Sequence, residues 1–249
     1  MEKLWILGPL VFLAGFIDSI AGGGGLISLP AYIFAGIPIH LAMGTNKLSS
    51  SIGTFTASIT FFIHKKIWVK LALVSAAFAL IGSWIGASLA LLFSDVALKA
   101  ILIIVLPIMA VFVLKPRKEV VVTPKDKFPW IQITLITFLV GMYDGFIGPG
   151  TGSMLIFGFV SVIGMSYTQA SANAKIVNLA SGIAALITFG FSSKVNVLLG
   201  LAAAVFSVAG NISGSLLAVR YGKKLIQPLL IIVFGILMIK MILDVLKVA

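Results

Sequence analysis

The chain has no cysteine and few charged residues of either sign. The absence of cysteine from all 249 residues excludes disulfide bridges and thiolate metal sites. Charged residues make up only 10% of the chain, and just 7 residues are acidic, whereas 60% are hydrophobic. Soluble domains contain roughly 25% charged residues. The composition therefore excludes an ordinary soluble domain and predicts a polytopic membrane protein.

Basic residues outnumber acidic ones and give a formal net charge of +11. They gather at the ends of apolar runs, which is typical of cytoplasmic membrane loops and not of a nucleic-acid-binding face. We therefore expect the lipid bilayer as a partner and no nucleic acid. Long apolar runs without strand alternation predict helices, because a spanning helix satisfies its own backbone hydrogen bonds. The first run, 4–20, is interpreted as a retained helix and not as a cleaved signal peptide.

The most informative pattern is an internal repeat. The stretches 15–25 and 141–152 each carry one aspartate, Asp18 or Asp144, ahead of a glycine run, and the two aspartates are 126 positions apart. Later matches fall at an offset of 128, which requires a small insertion between them. A repeated helix break beside an acid, at membrane depth, is typical of transporters whose site lies between two halves.

We predict a single transmembrane domain over residues 1–249. It consists of two repeats and a cytoplasmic linker, at 1–114, 129–249 and 115–128. Each half holds five apolar segments, and the second of them, 25–37 or 151–165, is shorter than the roughly 20 residues of a full span. If these short segments cross, the halves are inverted. If they do not, the halves are parallel, with four spans each and re-entrant segments.

Loop charges favour the inverted arrangement. The loop 64–70 carries three lysines and its equivalent 190–196 carries one, while 94–99 carries one base and its equivalent 220–224 carries three. Equivalent loops on opposite sides of a membrane show such an opposite bias. The predicted fold is an all-α polytopic membrane protein made of two inverted repeats, each with about five transmembrane or half-membrane helices. Four plus four helices with re-entrant segments is the alternative.

Asp18 and Asp144 lie far from any predicted loop. A charge at a helix centre costs about 2.5–3.5 kcal/mol on insertion scales, so two at matched positions indicate a role. The functional interpretation is proton or ion coupling, or a partner for a buried cation. The structural interpretation is that each carboxylate caps the helix after the glycines by accepting backbone N–H groups. The sequence leaves both open.

The glycine runs and two lysines predict an anion site. A half-helix that follows a break presents free N–H groups and the positive end of its dipole. Lys47 and Lys175, each flanked by polar side chains, are candidate counter-charges, and snorkelling to the membrane interface is the structural alternative. The predicted substrate-binding residues are Gly22, Gly23, Gly24, Gly25, Thr45, Asn46, Lys47, Gly148, Gly150, Thr151, Gly152, Asn173, Lys175 and Asn178.

These motifs resemble the sulfite exporter TauE/SafE family of membrane transporters. The most specific matches are the segments 141–152 and 173–178, and their first-half counterparts at 18–25 and 44–47 match more loosely. The resemblance covers essentially the whole chain. It implies a multi-pass carrier in the prokaryotic plasma (inner) membrane, for small sulfur-containing anions or organosulfonates.

We therefore expect a secondary transporter of a small sulfur-containing oxyanion or organosulfonate, with its site between the repeats, no cofactor and no enzymatic activity. A second copy of the chain is a candidate partner in a homodimer. Two other functions remain as alternatives. An anion channel could use the same residues, and two buried acids suggest an intramembrane aspartyl protease. The protease alternative conflicts with the Gly-Phe-Ile-Asp sequence at Asp18, because such enzymes need Gly-x-Gly-Asp at the second acid.

Overall fold

The computed structural model describes residues 2–114 and 129–221, and every regular element within these ranges is helical. In chain order the helices are α1 (Glu2–Ala21), α2 (Gly25–Phe34), α3 (Ile39–Ile63), α4 (Val69–Leu92), α5 (Asp95–Leu114), α6 (Trp130–Phe146), α7 (Thr151–Gly158, extended by a π-helical turn over Phe159–Ile163), α8 (Tyr167–Phe191) and α9 (Val197–Tyr221). The predicted linker 115–128 and the predicted last segment, 224–246, lie outside the described residues.

Five of the described helices are long and apolar enough to cross a membrane, namely α1, α4, α5, α8 and α9. Their outward faces carry large apolar side chains, such as Trp84, Ile104 and Leu198, which are exposed. Polar side chains are instead concentrated inside, along α3 and α8. This inside-out pattern confirms the predicted all-α polytopic membrane protein.

The two halves repeat the same succession of elements. Helices α3 and α8 each contain 25 residues, and they begin 128 positions apart, at Ile39 and Tyr167. The turns that follow them have left-handed residues at matched positions, Lys65 and Ser193. The sequence repeat is therefore also a repeat of backbone conformation.

The insertion between the repeat matches lies in the second short helix. Gly25 and Thr151 begin α2 and α7 at an offset of 126, whereas the left-handed glycines that follow these segments, Gly36 and Gly164, are 128 apart. The π-helical turn Phe159–Ile163 lies in this interval. A π-turn holds more residues than an α-turn. It therefore accommodates the extra residues of the second repeat before the turn at Gly164, which is equivalent to the turn at Gly36 in the first repeat.

The repeats are inverted with respect to each other. Near the start of α3, Gly44 lies against Phe189 at the end of α8, and further along α3, Ser51 lies against Gly182. The beginning of α3 thus lies beside the end of α8, so these equivalent helices are antiparallel. This geometry agrees with the orientation that the loop charges predict.

The short helices explain how inversion is compatible with half-length segments. Gly24, just before α2, lies against Ala14 and Asp18 of α1, so the chain turns back after α1. With 10 residues, α2 is about 15 Å long and covers only half of a bilayer core. Parallel halves are the prediction for short segments that do not cross. That prediction is wrong, because α1 ends inside the protein and α2 needs only to return from there, so half-length segments occur together with inverted halves.

The two repeats are interwoven, and the largest helix contacts join one repeat to the other. Helix α4 packs on α6 and α8, while α1 and α3 pack on α9. Glycines allow these backbones to approach closely, as in membrane helix pairs with small residues at the interface. In α4, Gly82 and Gly86 lie against Phe138 and Met142 of α6, and in α9, Gly210 lies against Phe12 of α1. The Gly-x-x-x-Gly motifs therefore hold the monomer together.

His40 fastens one end of the first repeat. Its Nδ1 lies 2.5 Å from Asp95 Oδ1 at the start of α5, and its Nε2 lies 3.2 Å from the carbonyl oxygen of Ala90 in α4. The repeat pattern does not single out this histidine, because the equivalent position in the second repeat is Thr168. It joins the start of α3 to the corner between α4 and α5.

The glycine seam can be tested with a matched pair of variants. A Cβ atom on Gly86 would lie 1.9 Å from the carbonyl oxygen of Met142, whereas one on Gly190 meets nothing within 4 Å. We expect Gly86→Ala to lower the melting temperature in detergent by about 2–10 °C, because overpacking costs about 1–3 kcal/mol. Gly190→Ala should leave it unchanged or raise it. Equal melting temperatures for both variants would contradict the seam.

The inverted arrangement can be tested by thiol labelling, since the chain has no cysteine background. Lys66 follows α3 and Lys194 follows α8, and these antiparallel helices end on opposite sides. Lys66→Cys and Lys194→Cys should therefore react with a membrane-impermeant reagent from opposite faces of the membrane. Labelling of both from one face would show that the repeats are parallel. Lys223, whose cysteine variant should label like Lys66→Cys, lies outside the described residues.

Candidate functional site

The two helix breaks meet at the centre of the protein. Gly22 and Gly148 have φ angles of +77° and +88°, which glycine adopts at little cost. A Cβ atom on Gly22 would lie 2.2 Å from the carbonyl carbon of Gly152, so only glycine permits this approach. The N–H of Ser153 donates to the carbonyl oxygen of Gly22 at 3.1 Å, and its hydroxyl donates to that of Ala21 at 2.6 Å. The breaks thus support each other across the repeat boundary.

Two ion pairs cross between the repeats beside these breaks. Lys47, on α3 of the first repeat, places its Nζ 2.7 Å from Oδ2 of Asp144, on α6 of the second. Lys175, on α8 of the second repeat, pairs with Asp18 on α1 of the first. Each lysine therefore neutralises the aspartate of the other half. The arrangement is reciprocal, as expected for inverted repeats that share one site.

The two aspartates have different additional partners. Asp144 Oδ2 accepts a hydrogen bond from the hydroxyl of Ser181 at 2.7 Å. Asp18 Oδ1 accepts one from the backbone N–H of Gly24 at 3.2 Å, just before α2. The residue equivalent to Ser181 in the first repeat is Gly53, which has no hydroxyl to offer. The carboxylate of Asp18 therefore bonds the glycine run, as the capping interpretation supposed, while Asp144 bonds a neighbouring helix.

Both pairs are shielded from water, and this sets their energetic importance. The side chains of Lys47 and Asp144 are 10% and 5% exposed, and those of Lys175 and Asp18 are 1% and 14% exposed. Removing one member of a buried pair costs about 3–5 kcal/mol, because the other charge is left uncompensated. Neither lysine snorkels to an interface. Both are held in place by the opposite repeat.

A cavity lies between the breaks and the ion pairs. Together with the open space at its mouth it encloses about 770 Å³. Most predicted site residues line it, and these are Asp18, Gly22, Gly24, Gly25, Asn46, Lys47, Asp144, Gly148, Gly150, Thr151, Gly152 and Asn178. Among the described residues, no group of three histidine, aspartate or glutamate side chains is arranged to hold a metal ion.

Several polar atoms at the cavity have no hydrogen-bond partner within the described part of the chain. They are the side-chain oxygens Oδ1 of Asn46, Asn178 and Asn211 and the hydroxyl of Ser51. Asn46, Ser51 and Asn211 are buried to more than nine-tenths. A buried polar atom without a partner costs about 1–3 kcal/mol. This pattern is typical of a site whose remaining hydrogen bonds are completed by water or a ligand.

Four predicted site residues do not line the cavity: Gly23, Thr45, Asn173 and Lys175. Thr45 and Asn173 are repeat equivalents, and their side-chain oxygens accept the backbone N–H groups of Asn196 and Trp68, at 2.9 and 3.0 Å. Each thus ties its helix to the loop before α9 or α4 of the opposite half. The sequence could not separate this role from substrate binding, because both use polar side chains beside a lysine.

Several polar residues at the cavity were not among the predicted binding residues. They are Ser28, Ser49, Ser50, Ser51, Thr54, Ser207 and Asn211. The serines of α3 adjoin Lys47, and their polarity within an apolar chain is a signal. Asn211 is a buried amide in the middle of a span, but its repeat counterpart is Ser83. A search for matched pairs therefore overlooks it.

Comparison with known proteins identifies the family. The family model described as sulfite exporter TauE/SafE matches residues 7–241. A probable membrane transporter protein of Sinorhizobium is 38% identical over 94% of this chain and 90% of its own length. The probable membrane transporter protein YfcA of Escherichia coli is 35% identical over 96% and 90%. A probable membrane transporter protein of Haemophilus influenzae is 33% identical over 98% and 96%.

No solved structure matches the chain at a significant level. The family model and these relatives cover nearly all of the sequence, including both helix breaks and both ion pairs. The chain therefore belongs to the sulfite exporter TauE/SafE family of membrane proteins.

Proposed function

We propose that this protein is a secondary transporter that carries a small sulfur-containing oxyanion or organosulfonate across the prokaryotic plasma membrane. The observation that carries the proposal is Lys47, a buried cation that lines a cavity between inverted repeats and is held only 2.7 Å from a carboxylate. The relatives are named as probable membrane transporters and come from bacteria. A homodimer in the membrane remains part of the proposal.

The protein's own carboxylates indicate which kind of ligand suits the cavity. Asp144 accepts hydrogen bonds from Lys47 and Ser181. Asp18 accepts them from Lys175 and from the backbone N–H of Gly24. A lysine together with a hydroxyl or a helix N-terminus also suits an oxyanion. An anionic substrate would therefore compete with Asp144 for Lys47. The side-chain amides of Asn46 and Asn178 also line the cavity, and their N–H groups would donate to the oxygens of such an anion.

Charge balance links anion binding to protons. Two lysines and two aspartates neutralise each other in this region, so each negative charge of a bound anion is uncompensated at low dielectric. Protonation of an aspartate removes one such charge and also frees its lysine. Anion and proton binding then favour each other, which is the linkage that a proton-coupled carrier requires. Asp18 and Asp144 are the proposed coupling residues.

The geometry supports a carrier over the protease alternative. In aspartic proteases two carboxylates share one proton because they lie side by side. Here each aspartate is bound to its own lysine, on a different helix. Inverted repeats around a central site are also the usual architecture of secondary carriers.

The role of Lys47 can be tested without leaving a buried charge unpaired. In the double variant Lys47→Met/Asp144→Asn the pair becomes neutral, so folding should survive. We expect anion affinity to fall by about 10- to 150-fold, which corresponds to about 1.5–3 kcal/mol for a lost charge-assisted hydrogen bond. The measurement is ligand-induced thermal stabilisation of the purified protein by sulfite, sulfate, thiosulfate, sulfoacetate and taurine.

Lys194→Met is the control for this experiment, because Lys194 lies in an exposed turn away from the cavity. It should bind the same anions as the parent does. If the folded double variant keeps the parent's affinity for every stabilising anion, Lys47 is not the counter-charge. A parent protein that none of these anions stabilises would count against the proposed substrate class.

Asp144→Asn separates coupling from structure. Asparagine can still accept hydrogen bonds from Ser181 and Lys47, but it does not titrate and does not hold Lys47 as an ion pair. We expect the parent's affinity for sulfate to rise as the pH is lowered, because a proton on Asp144 and an anion on Lys47 favour each other's binding. Asp144→Asn should bind sulfate with the same affinity at every pH. Its affinity measured against pH should therefore be flat.

Asp95→Asn serves as the matched control, since Asp95 pairs with His40 and does not line the cavity. Its pH profile should follow the parent's. A sloping profile in Asp144→Asn that is identical to the parent's would exclude coupling through this acid.

A further inference from the structure

The two crossed ion pairs are equivalent in sequence but not in surroundings. Lys47 lines the cavity, and its side chain is 10% exposed. Lys175, its counterpart in the second repeat, does not line the cavity and is only 1% exposed. The structure therefore shows the site open beside one lysine and sealed around the other.

An apolar cluster includes residues of α8 that lie on both sides of the sealed lysine in the sequence. We call it the α7 cluster, and its central members are Leu155, Ile156, Phe159, Val160, Ala174 and Val177. It is separate from the larger core cluster that surrounds α1 and α2. The π-helical turn, which carries the insertion of the second repeat, supplies Phe159 and Val160 to it. The first part of α8 thus packs against apolar side chains of α7, whereas the first part of α3 faces the cavity.

The difference is visible at equivalent positions of α3 and α8. Asn46 and Ser49 line the cavity on either side of Lys47. The residues 128 positions later, Ala174 and Val177, are each 1% exposed and belong to the α7 cluster. At these positions the polar cavity wall of α3 is therefore replaced by a buried apolar contact on α8.

The two environments lie toward opposite faces of the membrane. The cavity follows α3 from Met43 to Thr54, which is nearer to the beginning of that helix at Ile39 than to its end. The α7 cluster occupies the corresponding first part of α8, and α8 runs antiparallel to α3. An opening at the α7 cluster would consequently lead to the other side.

We propose that the α7 cluster is the closed gate of the second face, and that its opening exposes Lys175 to the substrate as Lys47 is exposed in the present state, whereas Asp18 lines the cavity already. The two lysines then serve one anion in turn, each on its own side of the membrane. Inverted repeats provide the physical basis, since exchanging the conformations of the two halves converts one state into the other. The identity of the substrate rests on the proposed transport function, whereas the gate is inferred from geometry alone.

The test uses single cysteines in the cysteine-free chain and a membrane-impermeant thiosulfonate reagent on right-side-out and inverted vesicles. Asn46→Cys reports on the open cavity, and Ala174→Cys reports on the gate. We expect Asn46→Cys to be labelled from one face and Ala174→Cys from the other. Labelling at Ala174→Cys should be about 10- to 1,000-fold slower, because a minor conformation is typically populated at about 0.1–10%.

Ala57→Cys and Ala185→Cys are the matched controls. These alanines are also equivalent positions on α3 and α8, both are fully buried, and neither lines the cavity. Both variants should stay unlabelled from either face. Their labelling at the rate of Ala174→Cys would mean that the reagent reaches the interior by general fluctuation, and this would overturn the gate.

The remaining outcomes also decide the proposal. If Ala174→Cys is labelled from neither face, the α7 cluster is a permanent seal. If it is labelled from the same face as Asn46→Cys, the reagent reaches it from the present cavity. Either result would overturn the inference. The labelling requires no substrate, so it stands apart from the transport proposal. If the two cysteines are labelled from opposite faces but none of the anions used in the thermal-stabilisation experiment slows the labelling, the gate is supported. That result would count against a small sulfur-containing anion as the substrate.

Discussion

A charge within a membrane protein needs a partner, and the rest of this structure depends on how that need is met. Lys47 and Lys175 each find their carboxylate on the opposite repeat, so neither half can neutralise its own charge. The reciprocal pairs hold α3 to α6 and α8 to α1 around the helix breaks. Because breaking a buried pair costs about 3–5 kcal/mol, the interwoven packing of the halves and the position of the cavity are fixed by the same interaction.

The backbone meets the same requirement through glycine. A helix that ends inside the membrane leaves N–H and carbonyl groups without partners. Here the two breaks satisfy part of this requirement across the repeat boundary, through Ser153 and Gly22, and Asp18 accepts the N–H of Gly24. The close contact of Gly22 with Gly152 leaves no room for a side chain. Broken helices, ion pairs and cavity therefore form one structural unit.

Much of this arrangement could be predicted from residue patterns. The matched aspartates, glycine runs and lysines define the repeat, and the loop charges give its inverted orientation. Pattern alone could not show that each lysine pairs across the repeats, because this depends on how α3 and α8 cross. It also assigned Thr45 and Asn173 to substrate binding, whereas they hold the loops before α9 and α4. Asn211 was overlooked because its counterpart, Ser83, differs in chemistry.

We propose that the cavity belongs to a carrier that exchanges small anions and does not conduct them as a channel. Counterflow distinguishes the two. Proteoliposomes would be loaded with a high concentration of an unlabelled anion that stabilises the purified protein, and then diluted into a trace of the same anion in radiolabelled form. With the membrane potential clamped at zero, we expect a transient accumulation of label above its equilibrium level, because a carrier returns loaded in exchange. A monotonic approach to equilibrium at the same protein density would contradict it.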